Sequence, residues 1–215
     1  MYQLYYSPRN ASAAVHWLLH DLNVPYELIR VDRKQQQQKS AEYLKLNPSG
    51  RIPTLLIDDQ PLSETAAILI TLCERHPEQA KMPALVSPDR SKFWQWMMYL
   101  TNTLQNELMV YFYPHTTDSN GIEAIKQAQV VRLAEILTLI DRELSHHTYL
   151  VGDTLTACDF FLFLLGYWCL ALPQPLTEYP NLTRFMRLMA KHPSITAVND
   201  IEQFDLDCDI FTFID

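Results

Sequence analysis

Two short stretches of this chain combine residue types that can hold a ligand through backbone groups and a helix dipole. In Asn47-Pro48-Ser49-Gly50-Arg51-Ile52-Pro53-Thr54-Leu55 a proline opens an apolar run directly after a loop that contains glycine. The trans preference of an X–Pro bond is only about 0.5 to 1 kcal/mol, so the Ile52–Pro53 bond can be cis. A cis bond turns the Ile52 N–H and C=O toward a ligand; the alternative is a proline that merely starts a strand. In Leu62-Ser63-Glu64-Thr65-Ala66-Ala67-Ile68 the acid and the threonine stand where a helix begins. Unpaired N–H groups and the helix dipole bind anions at such a point. An ordinary helix start capped by Ser63 is the alternative. A third pattern, Thr156-Ala157-Cys158-Asp159, has the spacing of a capping box before the apolar run 160–172 and reads as structural.

These stretches need elements to position them. Gln3 to Tyr6 reads as a strand, and Val15, Leu18, Leu19 and Leu22 are spaced as one face of a helix over 12–22. Residues 26–31 alternate with period two, and Ala41 to Leu46 suits a short helix, which completes a βαβ unit. Thr54 to Ile57, a turn at Asp58-Asp59, and Gln60 to Leu62 suggest a hairpin feeding a helix over 64–75. The first domain is therefore expected over 1–77, with a linker over 78–90 marked by Pro83 and Pro88. From 91 to 199 the period is helical throughout. Phe93, Trp96, Met97, Leu100, Leu104, Leu108 and Tyr111 mark one long helix, and residues 125–144 another. The acidic, aromatic tail over 200–215 either packs its apolar residues on the body or stays loose, and the glutamine run 35–38 reads as a solvated loop.

Composition bounds the function classes. The 215 residues allow one or two domains at roughly 100 to 200 residues each. Apolar types at 48% and charged types at 20% suit a stable globular core. A net charge of −8, with no dense basic stretch, argues against nucleic acid as the main partner. The start, MYQLYY, lacks the basic and apolar regions of a secretory signal. The 13-residue apolar run 160–172 is too short to span a bilayer of about 30 Å, so the expectation is a cytoplasmic protein that does not bind membranes. Cys73, Cys158, Cys169 and Cys208 form no disulfide or metal spacing, and three of them lie in apolar helical stretches as core thiols. His16, His115, His146 and His147 have no partner at any defensible spacing and are expected at the surface.

A βαβ-ββα unit followed by an all-helical domain resembles the glutathione transferase family, over roughly residues 2–198. Residues 47–55 are similar to the family's N-P-x-G-x-V-P-x-L segment, and 62–68 to its L-x-E-S-x-A-I segment. The resemblance implies an α/β thioredoxin-like N-terminal domain and an all-α C-terminal domain. It also implies that Ile52 and Pro53 present backbone to the cysteinyl part of glutathione, as in β-augmentation. The resemblance likewise implies that Glu64 and Thr65 hold the γ-glutamyl carboxylate and amine, with Thr65 in place of the usual serine. The Thr156–Asp159 box is similar to the one that starts the family's buried second-domain helix.

Glutathione chemistry needs a thiolate near pH 7, whereas a free thiol has a pKa of about 8.5. In the family the sulfur lies at the end of the first strand, which here is Tyr5-Tyr6-Ser7-Pro8-Arg9-Asn10-Ala11-Ser12. The segment resembles the S-P-G-A-C-S start of the bacterial beta class, but Ala11 stands at the cysteine position and Met109 at the expected histidine. Mixed-disulfide chemistry is disfavoured accordingly. Ser7, Asn10 and Ser12 can each donate to the sulfur, and the always-charged Arg9 can lower a thiol pKa directly; Arg9 and Ser7 are preferred. Alternatively Arg9 is a solvated loop residue and Ser12 a helix N-cap.

The resemblance further places Arg51, Lys34, Lys39 and Asn102 at glutathione, the last across a homodimer interface. Solvated surface positions are the alternative for Lys34, Lys39 and Asn102. Met109, Phe112, Tyr113 and Trp168 are expected to line a pocket for a small hydrophobic electrophile, or else to belong to the core. The implied function is conjugation of glutathione, bound as co-substrate without a metal, to that electrophile. A glutathione-dependent isomerase or reductase, and a transferase-fold binding or regulatory module, are the alternatives.

Overall fold

The segments read as strands within the first 63 residues pair into a four-stranded sheet, which buries Leu4 and the whole of Thr54–Ile57. A computed structural model describes residues 1–212. In chain order its first elements are β1 (Tyr2–Tyr6), α1 (Ser12–Asp21), β2 (Tyr26–Arg30), α2 (Ala41–Leu46), β3 (Thr54–Ile57), β4 (Gln60–Ser63) and α3 (Thr65–Arg75). The sheet order is β2-β1-β3-β4, with β2 parallel to β1 and both β3 and β4 antiparallel to their neighbours. All four residues of β3 are buried, as befits a central strand. Helices α1 and α3 pack on each other, and α1 has no exposed residue from Ser12 to Leu19. This is the expected α/β arrangement, with boundaries within a residue or two of those read from the sequence.

The remaining elements are helical: α4 (Asp89–Tyr99), α5 (Asn106–Phe112), α6 (Ser119–Leu144), α7 (Ala157–Cys169), α8 (Pro180–Ala190), α9 (Pro193–Ala197), α10 (Asn199–Glu202) and α11 (Asp209–Thr212). A π-helical turn over Leu100–Gln105 joins α4 to α5, so the long helix expected there carries a wide turn in its middle. Helix α7 is buried along nearly its whole length and starts with the expected capping box. Thr156 N and Oγ1 donate to Asp159 Oδ2 at 2.7 and 3.0 Å, and Leu150 N donates to Oδ1 at 2.9 Å. Burial pushes the Asp159 carboxyl up to about 6 against the opposing pull of those N–H groups.

The described residues divide into two units: Met1–Met82 with Lys191–Leu206, and Pro83–Ala190 with residues 207–212. This departs from the expected boundaries in two places. The linker is shorter than 78–90, since α4 already begins at Asp89. Residues 191–206, read as the end of the helical domain and the start of the tail, belong to the first unit. There α9 packs on α1, Ser194 Oγ donates to Asp21 at 2.8 Å, and Phe204 lies against Trp17 with ring centroids 5.0 Å apart.

The surface expected for His16 is also corrected. Its side chain has no exposed surface: Nδ1 lies 2.7 Å from Glu202 Oε1, itself fully buried, and Nε2 lies 3.1 Å from the Tyr26 hydroxyl. His115, His146 and His147 are exposed. Later in the tail, Ile210 and Phe211 are buried in the second unit, and Phe211 stacks on Tyr167. Phe213, Ile214 and Asp215 lie outside the described residues. Cys73, Cys158 and Cys169 are buried thiols and Cys208 is half-buried.

Candidate functional site

The sheet register gathers the first-unit candidates at one end. Tyr5 lies opposite Thr54, and Thr54 opposite Ser63. The loop after β1, the segment leading into β3 and the start of α3 therefore emerge side by side. Because β2 runs parallel to β1, with Tyr6 opposite Arg30, the loop carrying Lys34 and Lys39 leaves from the same end.

In the β1–α1 loop, Arg9 has φ +58° and is exposed, and Asn10 N donates to Ser7 O at 3.2 Å. The positive φ turns the chain sharply between Ser7 and Ser12. The Ser12 hydroxyl is fully buried, accepts from Ser7 N and donates to Ser7 O, both at 3.2 Å. Its single proton is thus committed inside the loop, and neither of the roles expected for it is the one it fills. It caps no helix, since α1 has Ala11 at the N-cap, and it braces the loop rather than offering a donor outward. The Ser7 hydroxyl and the Asn10 amide, by contrast, make no hydrogen bond among the described residues.

The Ile52–Pro53 bond is cis. Pro53 is buried and Ile52 half-buried, and neither the Ile52 N–H nor its C=O has a hydrogen-bond partner among the described residues. Backbone groups without a partner are uncommon in folded chains, which makes this pair a ready place for an extended ligand. The residues before it are tightly held. Tyr43 Oη and Asn47 Nδ2 both donate to Arg51 O, at 2.7 and 2.9 Å, and Tyr43 Oη lies 2.9 Å from Thr54 Oγ1. Burial pushes the Tyr43 phenol up, which keeps its proton in place for donation. The Arg51 side chain is exposed.

At the start of α3 the N-cap is Glu64, with φ +71°, and among the described residues no side chain caps the helix. Ser63 does not fill that role, and the first N–H groups of this 11-residue helix have no intrahelical acceptor. Glu64 is exposed and Thr65 buried. Lys39 Nζ donates to Ser49 O at 3.1 Å, so it steadies the neighbouring loop, while Lys34 is exposed.

The other candidates belong to the second unit. Asn102 is exposed on the π-helical turn, Met109 and Phe112 are half-buried on α5, Tyr113 follows α5 and is exposed, and Trp168 is half-buried on α7. An open cavity of about 570 Å³ in this unit is lined by Val130, Val131, Ala134, Glu135, Thr138 and Gln174, none of them among the residues expected to hold an electrophile. Two residues that shape the site escaped selection from the sequence. Asn47 had a readable signal, because an asparagine before Pro-x-Gly commonly bonds the backbone two residues on; Asn47 Oδ1 accepts from Ser49 N and Oγ at 3.1 and 2.7 Å. Tyr43, in a short helix, carried none.

Comparison with known proteins finds one family along both parts of the chain. The N-terminal domain model of the glutathione S-transferases matches residues 2–70 and the C-terminal domain model matches residues 103–193. The chain is 27% identical over 195 residues to glutathione S-transferase GstA of Escherichia coli O157:H7, covering 90% of this chain and 94% of that one. It is 30% identical over 164 residues to glutathione S-transferase F10 of Arabidopsis thaliana, covering 72% and 74%. A crystal structure of a glutathione transferase homologue from Sulfitobacter with bound glutathione superposes with a TM-score of 0.86 at 25% identity, over 95% of this chain and 99% of that one. With both domain models matched in order, the chain belongs to the glutathione S-transferase family.

Proposed function

We propose that the protein conjugates glutathione to a small hydrophobic electrophile. The observation that carries this reading is the pairing, at one end of one sheet, of the Ile52 backbone with the start of α3, neither of which has a partner or a side-chain cap among the described residues. The first suits the cysteinyl backbone of glutathione. The second, with Glu64 and Thr65, suits the γ-glutamyl end, where the helix N–H groups take the carboxylate and the Glu64 carboxylate takes the amine. A peptide bound across both lays its sulfur beside the β1–α1 loop. There the Ser7 hydroxyl, the Asn10 amide and the Arg9 guanidinium favour the thiolate over the thiol. The thiolate sulfur attacks the electrophilic carbon and an S–C bond forms. The leaving group departs with the bonding electron pair, and no protein side chain is covalently changed.

The family supports a cytoplasmic homodimer, in which Asn102 serves the partner's glutathione and Met109, Phe112, Tyr113 and Trp168 face the electrophile. Lys34 and Arg51 supply charge near the glycine carboxylate. Ala11, where a cysteine would be needed, disfavours disulfide reduction.

The test is a conjugation assay with an activated aryl chloride, comparing wild type with Ser7→Ala, Arg9→Ala and Asn10→Ala. A hydrogen bond to a charged sulfur is worth about 1.5 to 3 kcal/mol, so the residue that carries the thiolate should lose about 10- to 100-fold in kcat/KM. Its pH–rate profile should move upward as well. Full activity in all three variants removes the thiolate role from this loop.

A further inference from the structure

We propose that Tyr43 and Asn47 are positioning residues that set the glutathione-binding edge at Ile52 by gripping the Arg51 carbonyl from two sides; the inference rests on the reading of the site given above. The network has one consistent direction. Tyr43 Oη has a single proton and donates it to Arg51 O at 2.7 Å, so its 2.9 Å contact with Thr54 Oγ1 is accepted from the threonine. Asn47 Nδ2 supplies the second donor at 2.9 Å, which fills both lone pairs of the carbonyl. On its other side Asn47 Oδ1 accepts from Ser49 N and Oγ. Tyr43, Asn47 and Thr54 have 4%, 3% and 0% exposure, so these bonds are not in competition with water.

The intervening chain has no slack. Gly50 N donates to Asn47 O at 2.9 Å, and Gly50 takes φ +59°. A Cβ there would stand 2.7 to 2.9 Å from Lys39 Nζ, Lys39 Cδ and Gln38 O. The loop from Asn47 to Arg51 is therefore fixed at both ends by the side chains of Asn47 and Tyr43. The first group beyond the grip is the Ile52 N–H, one bond from the held carbonyl carbon. A small rotation of that peptide plane aims the N–H away from a bound peptide, and the grip forbids it.

The test uses the full chain with Asn47→Asp and Tyr43→Phe. Asn47→Asp keeps the contacts to Ser49 but sets an oxygen against Arg51 O; Tyr43→Phe is the gentler change and guards against loss of folding. Calorimetric titration with glutathione should show a Kd raised about tenfold in each variant. The KM for the aryl chloride and the pH–rate profile set by the β1–α1 loop should stay as in wild type. Lowered melting temperature with an unchanged Kd means the grip is merely structural and overturns the inference. Wild type that binds glutathione while both variants bind it equally well overturns the inference alone; wild type that fails to bind glutathione overturns the functional reading and the inference with it.

Discussion

Replacing Glu202 by alanine tests how the segment 191–206 is held in the first unit. The Glu202 carboxyl has no exposed surface, its Oε1 lies 2.7 Å from His16 Nδ1, and Oε2 has no hydrogen-bond partner among the described residues. The His16 ring is equally buried between Glu202 and the Tyr26 hydroxyl. Removing one member of such a pair leaves the other buried without its partner, at a cost of about 3 to 5 kcal/mol. At about 2 to 4 °C per kcal/mol for a chain of this size, the melting temperature should fall by roughly 6 to 20 °C. Glu202→Gln keeps an acceptor for the imidazole N–H and should lose less than half as much. The assay is thermal and guanidinium unfolding of wild type, Glu202→Ala, Glu202→Gln, His16→Ala and the double variant, with hydrogen exchange across 191–206. The two alanine changes should be strongly non-additive, since each breaks the same contact. Additive losses, or a Glu202→Ala variant within 1 kcal/mol of wild type, refute the reasoning.

Three further outcomes are expected. Glu64→Ala should weaken glutathione binding by about tenfold with the fold intact, since it removes the charge partner proposed for the ligand amine while leaving the α3 N–H groups; equal affinity by titration calorimetry removes that assignment. Asp159 has a folded pKa raised to about 6 from 3.8. Its neutral form is therefore favoured by folding, and this contribution is complete below about pH 4 and lost as pH rises through 6. The loss is about 3 kcal/mol on the two-unit shift. Guanidinium midpoints of wild type minus Asp159→Asn between pH 4 and 7 should fall accordingly, and a flat difference contradicts the burial argument. Burial pushes the Cys169 thiol up to about 12, so a disulfide reagent at pH 8 should modify half-buried Cys208 first and Cys169 only on unfolding. Rapid loss of the Cys169 thiol in native protein counters that picture.

The four strand segments, the period-two alternation of 26–31 and the short helix at 41–46 were legible because local pattern and tertiary demand coincide there. So was the capping box at Thr156, whose spacing is a local rule satisfied by its own neighbours. The return of 191–206 to the first unit was not. Helices α9 and α10 have five and four residues, too few for a period, and their partners on α1 lie more than 170 residues away. His16 was misplaced for the same reason. Val15, Leu18 and Leu19 define one apolar face, and His16 lies off it, yet α1 is covered on that side too, by a residue no spacing could nominate. At the site, Ile52–Pro53 and Glu64–Thr65 could be read from motif and helix-start chemistry. Whether Ser12 faced inward or outward depended on the φ +58° turn at Arg9, which leaves no trace in composition.

The central claim is that the first unit binds glutathione where the Ile52 backbone and the start of α3 meet. Calorimetric titration of the purified full chain with glutathione tests it most directly. The account predicts saturable binding at one site per chain, abolished or weakened by Glu64→Ala and by Asn47→Asp; no heat of binding at millimolar glutathione contradicts it.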